Sequence, residues 1–112
     1  MKTAVLYSRV SSDEQLKGLS PEVQKDLCKK WARDNNYQLV GVYQDGGKSG
    51  TKTVGRDGLE DMIIQCQDEK VDVALVVDTD RIARNEADHF NIKAALKKGG
   101  TQLIAINQPM IN

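Results

Sequence analysis

Residues 3–15 read TAVLYSRVSSDEQ, and the parsing of this stretch decides the fold. Its first part, TAVLY, is an apolar run too short for a helix and suited to a strand buried on both faces of a sheet. Where that strand ends, the chain places Arg9 and the serine pair Ser11 and Ser12, polar side chains at the point where a buried element feeds the next one. A strand exit leading into a helix is where open α/β sheets put their chemistry. The stretch therefore predicts an α/β sheet with a site at its edge.

The rest of the chain alternates between short β-branched runs and longer periodic segments. TAVLYSRV (3–10), YQLVGVY (37–43), VDVALVVD (71–78) and TQLIAIN (101–107) read as four strands. Between the first two lies SPEVQKDLCKKWARDNN, with Ser20 as helix N-cap and Pro21 at the first helical position. Val23, Leu27 and Trp31 recur at four-residue intervals and predict one buried stripe on that helix. A second helix, from about Gly58 to Lys70, is expected to bury Leu59, Met62, Ile63 and Cys66. A third, from about Asn85 to Lys98, is expected to bury Phe90, Ile92, Ala95 and Leu96 and to stop at Gly99 and Gly100 in a left-handed C-cap. Strands separated by helices imply parallel crossovers, hence an α/β domain with helices on both faces.

QDGGKSGTKTVGRDG, residues 44–58, fits neither period and reads as a long loop, expected to be mobile without a ligand and to leave Arg56 out of place. Its GGKSGT resembles a phosphate loop only in part. The glycine required six positions before Lys48 is Val42, and the segment does not run straight into a helix.

Length and composition limit the function. The 112 residues make one domain with a single modest core, and 39% hydrophobic with 29% charged residues is the balance of a soluble globular chain. No apolar run approaches the roughly 20 residues of a membrane span, and charge interrupts the N-terminal segment too early for a signal peptide, so a cytoplasmic protein without membrane contact is expected. Cys28 and Cys66 lack metal-ligand spacing and read as packed, reduced thiols. Lys plus Arg equals Asp plus Glu at 16 each, whereas a self-sufficient nucleic-acid binder usually carries a basic excess.

Three strand exits gather unusual side chains: Arg9, Ser11 and Ser12 after the first, Arg56 after the second, and DTDRIARN after the third, with Asp78, Asp80, Arg81 and Arg84. In a parallel sheet these exits share one edge. Arginines around a serine hydroxyl suit a tetrahedral oxyanion, phosphate above all, because each guanidinium offers paired planar donors and keeps its charge. A serine so placed can attack a phosphodiester, whose transition state carries more negative charge than its ground state. His89, the one histidine, lies inside the last predicted helix, and no cluster of metal-ligating residues appears, so neither a serine–histidine triad nor a metal or other cofactor is expected. Asp80 is the carboxylate suited to exchange a proton with the reacting oxygens or to orient an arginine. A plainer alternative stands beside this one. Ser11 with Glu14, or Ser12 with Gln15, also has capping-box spacing, and Arg81 with Arg84 also suits a solvated turn.

YSRVSSDEQ resembles the nucleophile motif of the serine recombinases, the superfamily of resolvases, invertases and large serine integrases. The resemblance implies Ser11 as nucleophile, with Tyr7, Arg9 and Gln15 around it. LSPEVQKDLC resembles the family's serine and glutamine pair, here Ser20 and Gln24. YQDGGKSG with GRDGL resembles its mobile loop, carrying Asp45, Ser49, Gly50 and Arg56. DTDRIARN matches its phosphate-binding aspartate and arginines, Asp80, Arg81 and Arg84. The match runs from about Ala4 to Pro109. The spacing of Gln24 and Cys28, and the length between Gln15 and Gln24, look more like large integrases and transposon recombinases than small resolvases.

Together these readings predict a three-layer α/β/α domain, resolvase-like, with a mainly parallel sheet of order 2-1-3-4 and the site at the switch between strands 1 and 3. The function implied is site-specific DNA recombination through a 5′-phosphoserine intermediate. Tyr7, Gln15, Gln24, Ser49 and Arg56 are expected to support the DNA phosphate, and Arg9, Asp80, Arg81 and Arg84 to act with Ser11. The expected partners are double-stranded DNA and further copies of the chain, as dimer or tetramer in the full-length protein. Residues 1–112 are expected to be an N-terminal catalytic domain, with the dimerisation helix and DNA-binding domains beyond them. The alternatives are a non-catalytic regulatory or assembly module of the same fold and a hydrolase of small phosphate esters.

Overall fold

The computed structural model describes residues 2–10, 21–46, 57–77 and 86–106. In chain order these form β1 (Lys2–Val10), α1 (Pro21–Asp34), β2 (Tyr37–Gly46), α2 (Asp57–Glu69), β3 (Val73–Val76), α3 (Glu86–Lys98) and β4 (Gln102–Ala105). The strands make one sheet of order β2-β1-β3-β4, and each neighbouring pair is parallel. The predicted class and strand order are thus the observed ones.

Both faces of the sheet are covered, which is why the β1 and β3 runs are apolar throughout. Val5, Tyr7, Ala74 and Val76 point to one face, where Leu59, Met62 and Cys66 of α2 and Ile92 and Leu96 of α3 close the larger core. Ala4, Leu6, Val73, Leu75 and Val77 point to the other, against Cys28 and Ala32 of α1. Gly100, at φ 83°, ends α3 as expected, with its N–H donating to the Lys97 carbonyl (2.9 Å) and the Thr101 N–H to that of Leu96 (3.0 Å).

Three expectations are corrected. The buried stripe of α1 is not Val23, Leu27 and Trp31: Val23 and Leu27 are each 40% exposed, and Gln24, Cys28 and Ala32 face the sheet instead. Short side chains there let the helix sit close to the strands, while Trp31 stays at the margin, stacked on Tyr37 with ring centroids 5.4 Å apart. Phe90 is 72% exposed rather than buried, because it lies two residues before Ile92, about 200° around the helix from the buried Ile92–Leu96 line. Residues 44–46 belong to β2 rather than to the loop, since Ser8, Arg9 and Val10 pair with them.

One irregularity sets the aim of β2. Leu39 is partnered with Ala4 but Gly41 with Val5, so Val40 is an extra residue in the ladder. Its carbonyl accepts a hydrogen bond from Gln65 Nε2 (3.1 Å), and the Tyr43 hydroxyl donates to Gln65 Oε1. Gly41 keeps this spot open, because a Cβ would crowd the Gln65 amide, the Tyr43 ring and Val5 and make those side chains shift. As side chains alternate, the extra residue turns Tyr43 and Asp45 onto the Tyr7 face; an unbroken ladder would have turned them away.

Candidate active site at the strand exits

The carboxyl end of β1 is held on both faces of the sheet. On one, the wholly buried Tyr7 donates its hydroxyl to Asp45 Oδ2 at 2.7 Å. Asp45 also accepts from the main-chain N–H of Gly58 (2.8 Å, Oδ1) and of Leu59 (3.0 Å, Oδ2). These are free donors at the first turn of α2, so Asp45 caps a helix that starts 12 residues further on and places negative charge at its positive end. The chain between them leaves from and returns to one carboxylate. Gly58 admits this closure: a Cβ there would lie 2.8 Å from the Gln44 carbonyl oxygen and 2.9 Å from Asp45 Oδ1.

On the other face, β3 pairs with β1 along Ala4–Leu6, and among the described residues no strand pairs with the last residues of β1 on that side. Gln24, from the first turn of α1 and wholly buried, reaches this gap. Its Oε1 accepts from the Arg9 N–H and its Nε2 donates to the Arg9 carbonyl, both at 3.2 Å. The Arg9 side chain is half-buried. Between Tyr7 and Arg9 lies Ser8, whose buried hydroxyl has no hydrogen-bond partner among the described residues.

The predicted site thus divides. Tyr7, Arg9 and Gln24 are brought together at the β1 exit with Asp45 beside them. Ser11, Ser12, Gln15, Ser49, Gly50, Arg56, Asp78, Asp80, Arg81 and Arg84 lie outside the described residues, as does the expectation of a mobile loop beyond Gly46. The segments that carry them leave the carboxyl ends of β1, β2 and β3, which are adjacent and parallel. The capping role of Asp45 and the strand-completing role of Gln24 were missed in the sequence. The GRDGL motif was the available signal for the first, because its glycine is what lets a distant carboxylate approach.

Other reactive groups are structural. Cys28 and Cys66 are free and buried; burial pushes the Cys28 thiol up to about 12 and that of Cys66 upward as well. Burial, and then the charges of Asp61, Cys66 and Glu69, push the Tyr43 hydroxyl upward. Among the described residues no three His, Cys, Asp or Glu side chains are grouped to hold a metal ion, and no helix is long and apolar enough to cross a membrane.

Solved structures define the class of this arrangement. A resolvase family site-specific recombinase from Streptococcus pneumoniae superimposes with a TM-score of 0.82 at 36% identity, over 95% of this chain and 72% of that one. The N-terminal catalytic domain of TP901-1 integrase gives 0.78 at 28% identity, over 95% of this chain and 78% of that one. The C-terminal catalytic domain of ISC1926 TnpA, an IS607-like serine recombinase, gives 0.75 at 28% identity, over 96% and 71%. The fold is that of a serine recombinase catalytic domain. The family model described as the resolvase N-terminal domain matches residues 4–112, and the chain belongs to that family. No curated protein matches it in sequence.

Proposed function

We propose that this domain cuts and rejoins DNA at specific sites through a covalent bond between Ser11 and a 5′ phosphate. The observation that carries the reading is the anchored end of β1. Arg9 is held at the sheet edge by Gln24, and Ser11 follows two residues later in a chain of this family.

In the proposed reaction the Ser11 hydroxyl oxygen attacks phosphorus, the phosphorus–O3′ bond breaks, and the 3′ oxygen leaves with a proton. The serine gives up its own proton, with Asp80 as acceptor or as the group that orients an arginine. Arg9, Arg81 and Arg84 hold the phosphate oxygens as negative charge grows, and Arg56 joins from the segment after β2. Tyr7, Gln15, Gln24 and Ser49 support this arrangement. Rejoining reverses the step, as a 3′ hydroxyl attacks the phosphoserine and releases Ser11. One phosphate ester replaces another with little change in free energy, so the scheme needs neither ATP nor a metal. The zero net charge supports a domain that relies on further domains and on other copies of the chain to capture duplex DNA.

Ser11→Ala in the full-length recombinase tests the reading. DNA binding should persist while the covalent protein–DNA adduct is lost, because only the attacking oxygen is removed. Undiminished adduct would transfer the role to Ser12 or abolish the scheme.

A further inference from the structure

Gln24 occupies a position that the packing of α1 does not explain. The next two residues on its stripe, Cys28 and Ala32, are small and fill the core against Ala4, Leu6 and Leu75. A wholly buried amide is costly there unless both its ends are bonded. Both ends reach one residue, and they grip two peptides: the Arg9 N–H belongs to the peptide before Arg9 and the Arg9 carbonyl to the peptide after it. A side-chain amide carries the same donor and acceptor as a peptide group. Gln24 therefore pairs with Arg9 as a neighbouring strand would, beyond the point where the described β1–β3 ladder ends at Leu6.

We infer that Gln24 is a positioning residue for strand cleavage, one that acts through the main chain of Arg9 and does not itself meet DNA. Gripping the peptides on both sides of Arg9 fixes its φ and ψ together. That sets where the guanidinium starts and in which direction the chain departs toward Ser11. The ordinary contribution of a buried glutamine is stability alone; this pair contributes geometry at the nucleophile. The inference rests on the function proposed above, and its test is separable from that reading.

Two substitutions make the test. Gln24→Met keeps length and burial but removes both hydrogen bonds. In this 112-residue chain the Arg9 amide should exchange with solvent about tenfold faster or more, while the Leu6 amide remains protected. In the full-length protein, single-turnover cleavage of bound DNA should fall by about 10- to 100-fold with little change in DNA affinity, as misplacement of reacting groups does.

Gln24→Glu supplies a pH readout that a purely structural role would not move. Burial raises the pKa of the new carboxyl, so at low pH it is neutral and its O–H can donate to the Arg9 carbonyl while its C=O accepts the Arg9 N–H. At high pH the carboxylate faces the Arg9 carbonyl and one bond is lost. The cleavage rate relative to wild type should therefore rise as pH falls from 8 toward 5.5, a behaviour that also serves if Gln24→Met fails to fold. Folded Gln24→Met cleaving at the wild-type rate, or a Gln24→Glu deficit that is flat with pH, would overturn the inference. Wild type and Ser11→Ala run in parallel keep the two ideas apart, because an adduct formed by both would sink the nucleophile assignment instead.

Discussion

The two ends of β1 are fastened in different ways. At the amino end the Thr3 N–H donates to Asp72 Oδ2 (2.8 Å), the Asp72 N–H to the Thr3 carbonyl (3.2 Å), and the Gln102 N–H to the Asp72 carbonyl (3.0 Å), so main chain and an exposed carboxylate share the fastening. At the carboxyl end the main-chain ladder to β2 continues to Val10, the described ladder to β3 ends at Leu6, and the part-buried side chains of Gln24 and Asp45 add to the fastening. The side-chain bonds are exposed at the amino end and part-buried at the carboxyl end, so sequence dependence is greater around Tyr7 and Arg9. A single substitution can therefore loosen the exit and spare the fold.

The largest effect expected from breaking this contrast is that of Asp45→Ala. It removes the acceptor that serves the buried Tyr7 hydroxyl and two N–H groups at the start of α2, and about 2–4 kcal/mol of stability should be lost in a urea titration. Asp72→Ala at the other end should cost only about 1 kcal/mol, since its side-chain bonds are exposed and the main-chain lacing stays. Equal losses would erase the contrast.

A smaller effect concerns the seat of α1. Cys28, one turn beyond Gln24, has its thiol pushed up to about 12 by burial from an ordinary 9.0. A pKa raised in the folded state stabilises the fold fully below the unfolded value and ceases to do so as pH climbs through the folded one. Stability from this thiol should hold at neutral pH and fade between about 9 and 12, and Cys28→Ala should flatten that part of the pH–stability curve. Rapid alkylation of native protein at pH 8 would show that α1 does not stay seated.

The smallest effect is at Ser8, between the two fastened residues. Its buried hydroxyl has no partner among the described residues, so Ser8→Ala should be neutral or should stabilise by about 1 kcal/mol in the same titration. A clear loss of stability would reveal a bond that the hydroxyl makes.

The sequence made the sheet legible because the apolar runs in β1 and β3 and the glycines after α3 act locally, through burial and backbone freedom. It was less legible wherever a distant residue decides the outcome. The extra residue at Val40 depends on Gln65, and the cap on α2 on a carboxylate at the end of β2. Gln24 reads as a polar interruption of the α1 stripe until Arg9 is beside it, which is why Val23 and Leu27 were expected inside. Tyr7, Arg9 and Gln24 could be named from motifs, but their mutual geometry could not, since amide-to-backbone pairing leaves no periodic trace.

The central claim is that the anchored exit of β1 presents Ser11 for covalent attack on DNA. The most direct measurement is mass spectrometry of a trapped protein–DNA adduct after digestion with trypsin and nuclease. A nucleotide joined through its 5′ phosphate to Ser11, in the peptide Val10–Lys17, is the expected result. A nucleotide on Tyr7, in the preceding peptide, or a link through a 3′ phosphate would contradict it.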